Sequence, residues 1–96
     1  MAEPILLRVL TEAGVAIEDQ AVSIVAPGEV GYLGVLRNHA PLVTTLQPGL
    51  LTWRTTGGAT RRLRVTEGLL EITHNKLTVL TNTVVEESNA ASREVI

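Results

Sequence analysis

LLTWRTTGGATRRLRV, residues 50–65, reads as a β-hairpin whose register hydrophobicity alone can test. Side chains alternate between faces along a strand, so a slip of one residue exchanges inside for outside. A two-residue loop at Gly57-Gly58 would set Trp53 opposite Arg62 and Thr52 opposite Leu63, mixing apolar with charged on both faces. A three-residue loop at 56–58 instead pairs Leu51 with Leu63 and Thr52 with Arg62. Leu51, Trp53, Leu63 and Val65 then share one face, and Leu50, Thr52, Arg54, Arg62 and Arg64 share the other. Such loops favour glycine in the left-handed region at their third position, where Gly58 stands. The sequence therefore predicts the three-residue loop.

A second hairpin follows in LLEITHNKLTVL, residues 69–80. A two-residue turn at His74-Asn75 pairs Ile72 with Leu77, Leu70 with Val79 and Glu71 with Thr78, and both faces come out consistent. That turn requires φ > 0 at both central residues, which Asn and His tolerate better than most. His74 is thereby accounted for without chemistry.

Working outward, short runs rich in Val, Leu, Ile and Thr alternate with Gly, Pro and Asn throughout, the pattern of an all-β sandwich or barrel. Nine strands are predicted, at 4–10, 14–18, 20–26, 31–36, 41–46, 49–55, 59–66, 69–73 and 76–81. The 96 residues suffice for one domain, here 1–85. Residues 86–96 form a short tail with room for one or two helical turns over 88–95, capped by Ser88 or Asn89. The core must be aliphatic, since the chain has one Trp, one Tyr and no Phe.

Charge and composition exclude several functions. A net charge of −2 offers no electrostatic case for nucleic acid or for an anionic membrane surface. With no cysteine, there is no thiol nucleophile, no disulfide and no cysteine-based zinc site. Glu3 stands where a signal peptide favours lysine, and Arg8 interrupts the first apolar run, so no targeting or transmembrane segment is expected. No G-x-S-x-G elbow occurs. His39 and His74 lie in separate turns without ligand-spaced partners. Glu86-Glu87 is expected to be solvated. No catalytic, cofactor or metal residues are assigned. Arg54, Arg62 and Arg64 read as a solubilising face in preference to a patch for an acidic partner.

One stretch stands apart: GYLGVLRNHAPLVTTLQPG, residues 31–49. It resembles a signature segment of the epsilon subunit of F-type ATP synthases, through Leu33, Gly34, His39, Ala40, Pro41, Leu42, Leu46, Pro48 and Gly49. Farther on, Gly68, Leu70, Glu71, Leu77, Thr78, Val79 and Leu80 are similar to that family's second motif, in unbroken order and at the right separation. The resemblance implies a ten-stranded β-sandwich of two five-stranded sheets. It also implies a non-catalytic rotor subunit of the central stalk that binds the gamma subunit and the c-ring, coupling ion flow to ATP synthesis. Membrane association would be indirect, through the ring, on the cytoplasmic face or its organellar equivalent. By position in the family's contact loop, Tyr32, Arg37, Asn38 and His39 are the expected partner-binding residues. His39 has a second reading, as a side chain that merely hydrogen-bonds its own loop.

The chain departs from the family at three points. Asn38 replaces a frequent glycine, Tyr32 replaces a frequent acidic residue, and Glu67-Gly68 replaces Gly-Gly. Full-length family members continue into a two-helix arm that inhibits ATP hydrolysis and in some binds ATP, while other members lack it. The resemblance is to the short form without the arm, and neither inhibition nor ATP sensing is expected of residues 86–96. The rival reading is a free-standing β-sandwich module for protein or sugar, which two aromatics serve poorly.

Overall fold

The computed structural model describes residues 3–87. Nine strands lie among them: β1 (Ile5–Thr11), β2 (Gly14–Gly28), β3 (Gly31–Leu36), β4 (Leu42–Leu46), β5 (Gly49–Thr55), β6 (Thr60–Val65), β7 (Gly68–Thr73), β8 (Lys76–Thr81) and β9 (Val84–Glu87). No helix occurs among the described residues, and the tail helix expected over 88–95 lies outside them.

β2 organises the whole. Its first part, 14–21, pairs antiparallel with β1. Its second part pairs with β5 along one edge and with β3 along the other. One layer therefore runs β2 (first part), β1, β8, β7, β4, and the other runs β3, β2 (second part), β5, β6, β9. This is the all-β sandwich of two five-stranded layers, with one long strand counted in both.

The crossing explains a difference from the sequence reading, which splits this strand at Asp19. The backbone continues without a break, but the β2–β5 register shifts between Ala21 and Ser23. Before the shift the inward positions are odd (Ile17, Asp19, Ala21), and after it they are even (Ile24, Ala26). A bulge of this kind adds a residue, bends the strand and reverses the alternation. One strand can then line both layers of the core. The layers meet again at the far end of β2, where Gly28 pairs with Leu46 and the Gln47 amide donates to the Pro27 carbonyl at 2.8 Å.

Both hairpins adopt the expected registers. Leu51 pairs with Leu63 and Thr52 with Arg62, and Gly58 takes φ +96°. Ile72 pairs with Leu77 and Leu70 with Val79, with His74 and Asn75 at φ 51° and 59°. The core is aliphatic apart from Trp53 and draws on both layers: Ile5, Leu7, Val9, Leu70, Ile72, Leu77 and Val79 from one, Ile24, Val35, Leu51, Trp53, Leu63 and Val65 from the other. Each large side chain here contributes roughly 1.5–3 kcal/mol by leaving water.

The last strand refines the reading of Glu86-Glu87 as solvated: Glu86 is exposed and Glu87 half-buried, but both are held by arginines. β9 pairs with β6, setting Glu86 opposite Leu63 and Glu87 opposite Arg62. Glu86 bonds Arg61 at 2.6 Å and Glu87 bonds Arg64 at 2.9 Å. The run VVEE alternates weakly, and its partners lie more than twenty residues away, so local pattern alone misses it.

Between β6 and β7 the chain changes layers beside the buried Thr81. Thr81 Oγ1 donates to the Thr66 carbonyl at 2.8 Å and accepts the Thr66 amide at 3.2 Å. Gly68 packs against this corner so closely that a Cβ would lie 1.8 Å from the Leu80 carbonyl oxygen. Backbone must move to admit it, so Gly68→Ala is expected to destabilise the fold by about 3 kcal/mol or more, at the upper end for overpacked sites. Urea denaturation checks this, and a loss below about 1 kcal/mol would show that the corner is soft.

Candidate interaction surfaces

The four residues expected to contact partners occupy two places. Tyr32 opens β3 beside the β2–β3 hairpin tip, whereas Arg37, Asn38 and His39 follow the other end of β3. Leu36 lies four positions along the strand from Tyr32, about 13 Å at the usual rise. Tyr32 is 62 % exposed, yet its hydroxyl oxygen accepts the Leu50 amide at 3.1 Å, which fixes the ring over the start of β5. Gly49 lies close beneath it: a Cβ there would stand 2.8 Å from the Tyr32 hydroxyl oxygen and 3.0 Å from Pro27 Cβ, so the ring would have to shift to admit one. At the tip itself Val30 is 99 % exposed.

At the opposite end two turns lock together. Asn38 has φ 64°, the left-handed conformation expected where the related family carries glycine. Its amide donates to Asn75 Oδ1 at 2.6 Å, and Asn75 Nδ2 donates to Asn38 Oδ1 at 3.2 Å. The Asn75 carbonyl also accepts the Leu6 amide at 2.9 Å. Asn75 thus ties the β3–β4 turn to the β7–β8 turn and to β1. Sequence analysis reads Asn75 as turn chemistry only, because its partner lies 37 residues away. His39 Nδ1 donates to the Ala40 carbonyl at 2.8 Å, leaving Nε2 of this half-buried ring uncommitted within the described residues.

The outer face of the β1-containing layer carries an apolar row. Val15 pairs with Leu10, Leu10 with Leu80, and Leu80 with Leu69, crossing four strands in register. Val43 stands one strand farther on and is 68 % exposed. A shallow groove runs between Val43, Leu69 and Leu80. These side chains form a contiguous strip and are not scattered singly.

The most connected polar group is Asp19. Its carboxylate accepts the Trp53 indole N–H at 2.9 Å, the Gln20 amide at 2.8 Å and Arg61 at 3.1 Å. The Arg61 guanidinium lies 5.1 Å from the Trp53 ring centroid and reaches Glu86 on its other side. Partial burial pushes the Asp19 carboxyl up, but the Trp53 and Gln20 hydrogen bonds and the Arg61 charge outweigh it and hold the group below its ordinary 3.8. Arg61 is pushed up, first by its bond to Glu86. Every partner of Asp19 is structural, and the open, mainly polar hollow that it lines with Leu6, Glu18, Gln20 and Thr56 brings no second acid or base onto it beyond Glu18 among the described residues. Among the described residues, no three His, Asp or Glu side chains converge to hold a metal.

Fold and surfaces together define a β-sandwich whose contact features lie on its outside. The chain belongs to the ATP synthase delta/epsilon chain β-sandwich domain family, which it matches over residues 5–87. It is 40% identical over 80 residues to an ATP synthase epsilon chain of Desulfosudis oleivorans, covering 83% of this chain and 60% of that one. Its fold is similar to a chain of the Euglena gracilis mitochondrial ATP synthase OSCP/F1/c-ring assembly, with TM-score 0.82, 20% identity, and coverage of 96% and 60%. It is also similar to a chain of the Tetrahymena thermophila mitochondrial ATP synthase central stalk and c-ring, with TM-score 0.73, 13% identity, and coverage of 98% and 75%. The chain spans about three fifths of the length of the curated relative.

Two outcomes follow from this geometry. Asp19 is held below its unfolded pKa, so its contribution to stability is full above about pH 4 and is lost as pH falls through the folded value. Asp19→Asn should lower the melting temperature at pH 7 and flatten its decline between pH 5 and 2; equal acid limbs in both proteins would contradict this. Asn75→Gly keeps the left-handed turn but removes both side-chain bonds to Asn38. Amide exchange at Asn38 should then accelerate at least about tenfold, the factor for 1.4 kcal/mol, while Leu7 and Leu77 keep their protection.

Proposed function

We propose that this chain is a non-catalytic rotor subunit in the central stalk of an F-type ATP synthase. It binds the gamma subunit and the c-ring, and so couples ion flow to ATP synthesis. The apolar row Val15, Leu10, Leu80 and Leu69 carries the reading, because it offers a partner a flat, rigid, uncharged strip. Gamma lies along this face from the row to the turn of Arg37, Asn38 and His39. The c-ring meets the β2–β3 tip, through Val30 and Tyr32.

Family membership and the likeness to central-stalk and c-ring chains support the reading. So does the mechanical character of the fold. A close-packed interior transmits strain instead of absorbing it. Torque applied at one end of β3 reaches the other through the core and the Asn38–Asn75 link, without a hinge among the described residues. In this scheme the protein performs no bond chemistry. It sits peripherally on the cytoplasmic side of the membrane, or its organellar equivalent, held there by the ring.

The test mixes the chain with gamma subunit and c-ring from the same source at micromolar concentration. One complex should elute containing all three. Leu69→Glu with Leu80→Glu should weaken gamma binding at least about tenfold, equivalent to 1.4 kcal/mol, with the circular dichroism of the free protein unchanged. Failure of the wild-type chain to co-elute with either partner would overturn the proposal.

A further inference from the structure

The outer face of the other layer has a different chemistry. Leu36, Ser23 and Arg54 form one row across it; Gly34, Val25, Thr52, Arg62 and Glu87 form the next; Leu50, Arg64 and Val85 form a third. Three arginines and one carboxylate stand here, on a chain whose net charge is −2. Glu87 bonds Arg64. Among the described residues Arg54 and Arg62 form no ion pair.

Solubility alone does not account for this face. Arginines that served only to cover apolar neighbours would lay their stems over them. Yet Leu36 is 65 % exposed, Val85 64 % and Val25 41 %. Cationic and aliphatic groups are therefore offered side by side. Small residues leave room beside them: Gly34 has open space where a Cβ would stand, and Thr52 is short.

From this arrangement we infer that the outer face of the β3-β2-β5-β6-β9 layer docks an acidic protein segment bearing aliphatic side chains. Its carboxylates meet Arg54 and Arg62, and its apolar residues meet Val25, Leu36 and Val85. Bidentate guanidinium–carboxylate pairing gives the contact its orientation. Nucleic acid fits less well, because two arginines neutralise few phosphates and the sole aromatic on this face among the described residues, Tyr32, has its hydroxyl held at the Leu50 amide. The inference goes beyond the gamma and ring contacts: Tyr32 borders this face through its bond to Leu50, but Arg54 and Arg62 take no part in those contacts. It rests on the rotor reading for the assembly that supplies the partner.

The experiment uses photo-crosslinking in the assembled complex purified through this chain. Benzoyl-phenylalanine is placed at Thr52, and in a parallel preparation at Leu69 on the opposite face. The Thr52 probe should give an adduct that maps to a segment richer in Asp and Glu than in Lys and Arg. Arg54→Glu with Arg62→Glu should cut its yield at least tenfold, and raising salt should reduce it, whereas Arg54→Lys with Arg62→Lys should keep most of it. The lysine pair separates charge from folding. An adduct at Leu69 with none at Thr52 overturns this inference and leaves the rotor reading standing. A Thr52 adduct with a basic or neutral segment or with nucleic acid, or a yield indifferent to charge reversal, overturns it too. Capture at neither position overturns both.

Discussion

The register shift between Ala21 and Ser23 is the constraint on which the sandwich depends. A strand of fixed alternation can line only one wall of a core. β2 lines two, because the shift exchanges its inward parity midway. Its first part lies beside β1 in one layer, and its second part lies between β3 and β5 in the other. Asp19 shows how the crossing is held. It points inward from the first part and meets Trp53 and Arg61 of the second layer. The polar clasp thus stands two residues before the shift, where the strand must turn. An aspartate facing inward would be costly alone, and three donors offset that cost.

Locally determined features are legible in the sequence. Trp53 and Leu63 can share a face in only one of the two registers considered, and Gly58 suits the loop that this register needs. Asn75 after His74 announces a tight turn because few residues tolerate φ > 0 in succession. The continuity of β2 is not legible, since Glu18-Asp19-Gln20 looks like a break when read along the chain. It becomes strand only because Leu6, Leu7 and Arg8 run alongside. β9 is hidden for a similar reason. Its carboxylates look solvated until Arg61 and Arg64 are brought beside them from more than twenty residues upstream. Alternation within a segment registers burial on one face but not which distant charge arrives on the other.

The contact residues follow the same division. The left-handed backbone at Asn38 is readable from its place in a glycine-like position. That Tyr32 and His39 lie at opposite ends of one strand is also implied by strand length, once β3 is accepted as continuous. The Asn38–Asn75 link is not readable, although it gives the substitution a physical sense. Glycine at position 38 would supply the same φ without a side chain. Asparagine supplies the φ and also an acceptor for Asn75 Nδ2. It therefore exchanges backbone freedom for a second bond across the turn, which stiffens the end of the sandwich that the proposed function loads.

Charge placement completes the physical picture. β9 is an edge strand, with one row of backbone groups open to pairing by another chain. Its glutamates are turned to the arginines of β6, so the strand is fastened by side chains as well as by its ladder. Arg61 serves two carboxylates at once, one on β2 and one on β9, while lying over Trp53. This ties the edge of the layer to its centre. The consequence is electrostatic. Arg61 and Arg64 are spent inside the domain, whereas Arg54 and Arg62, on neighbouring strands, have no carboxylate partner among the described residues. Had β9 been neutral, Arg64 would have joined Arg54 and Arg62 as a diffuse cationic face, while Arg61 would have kept Asp19. Because it is acidic, the unpaired charge is narrowed to two guanidinium groups with apolar residues around them, a pattern that can discriminate between partners.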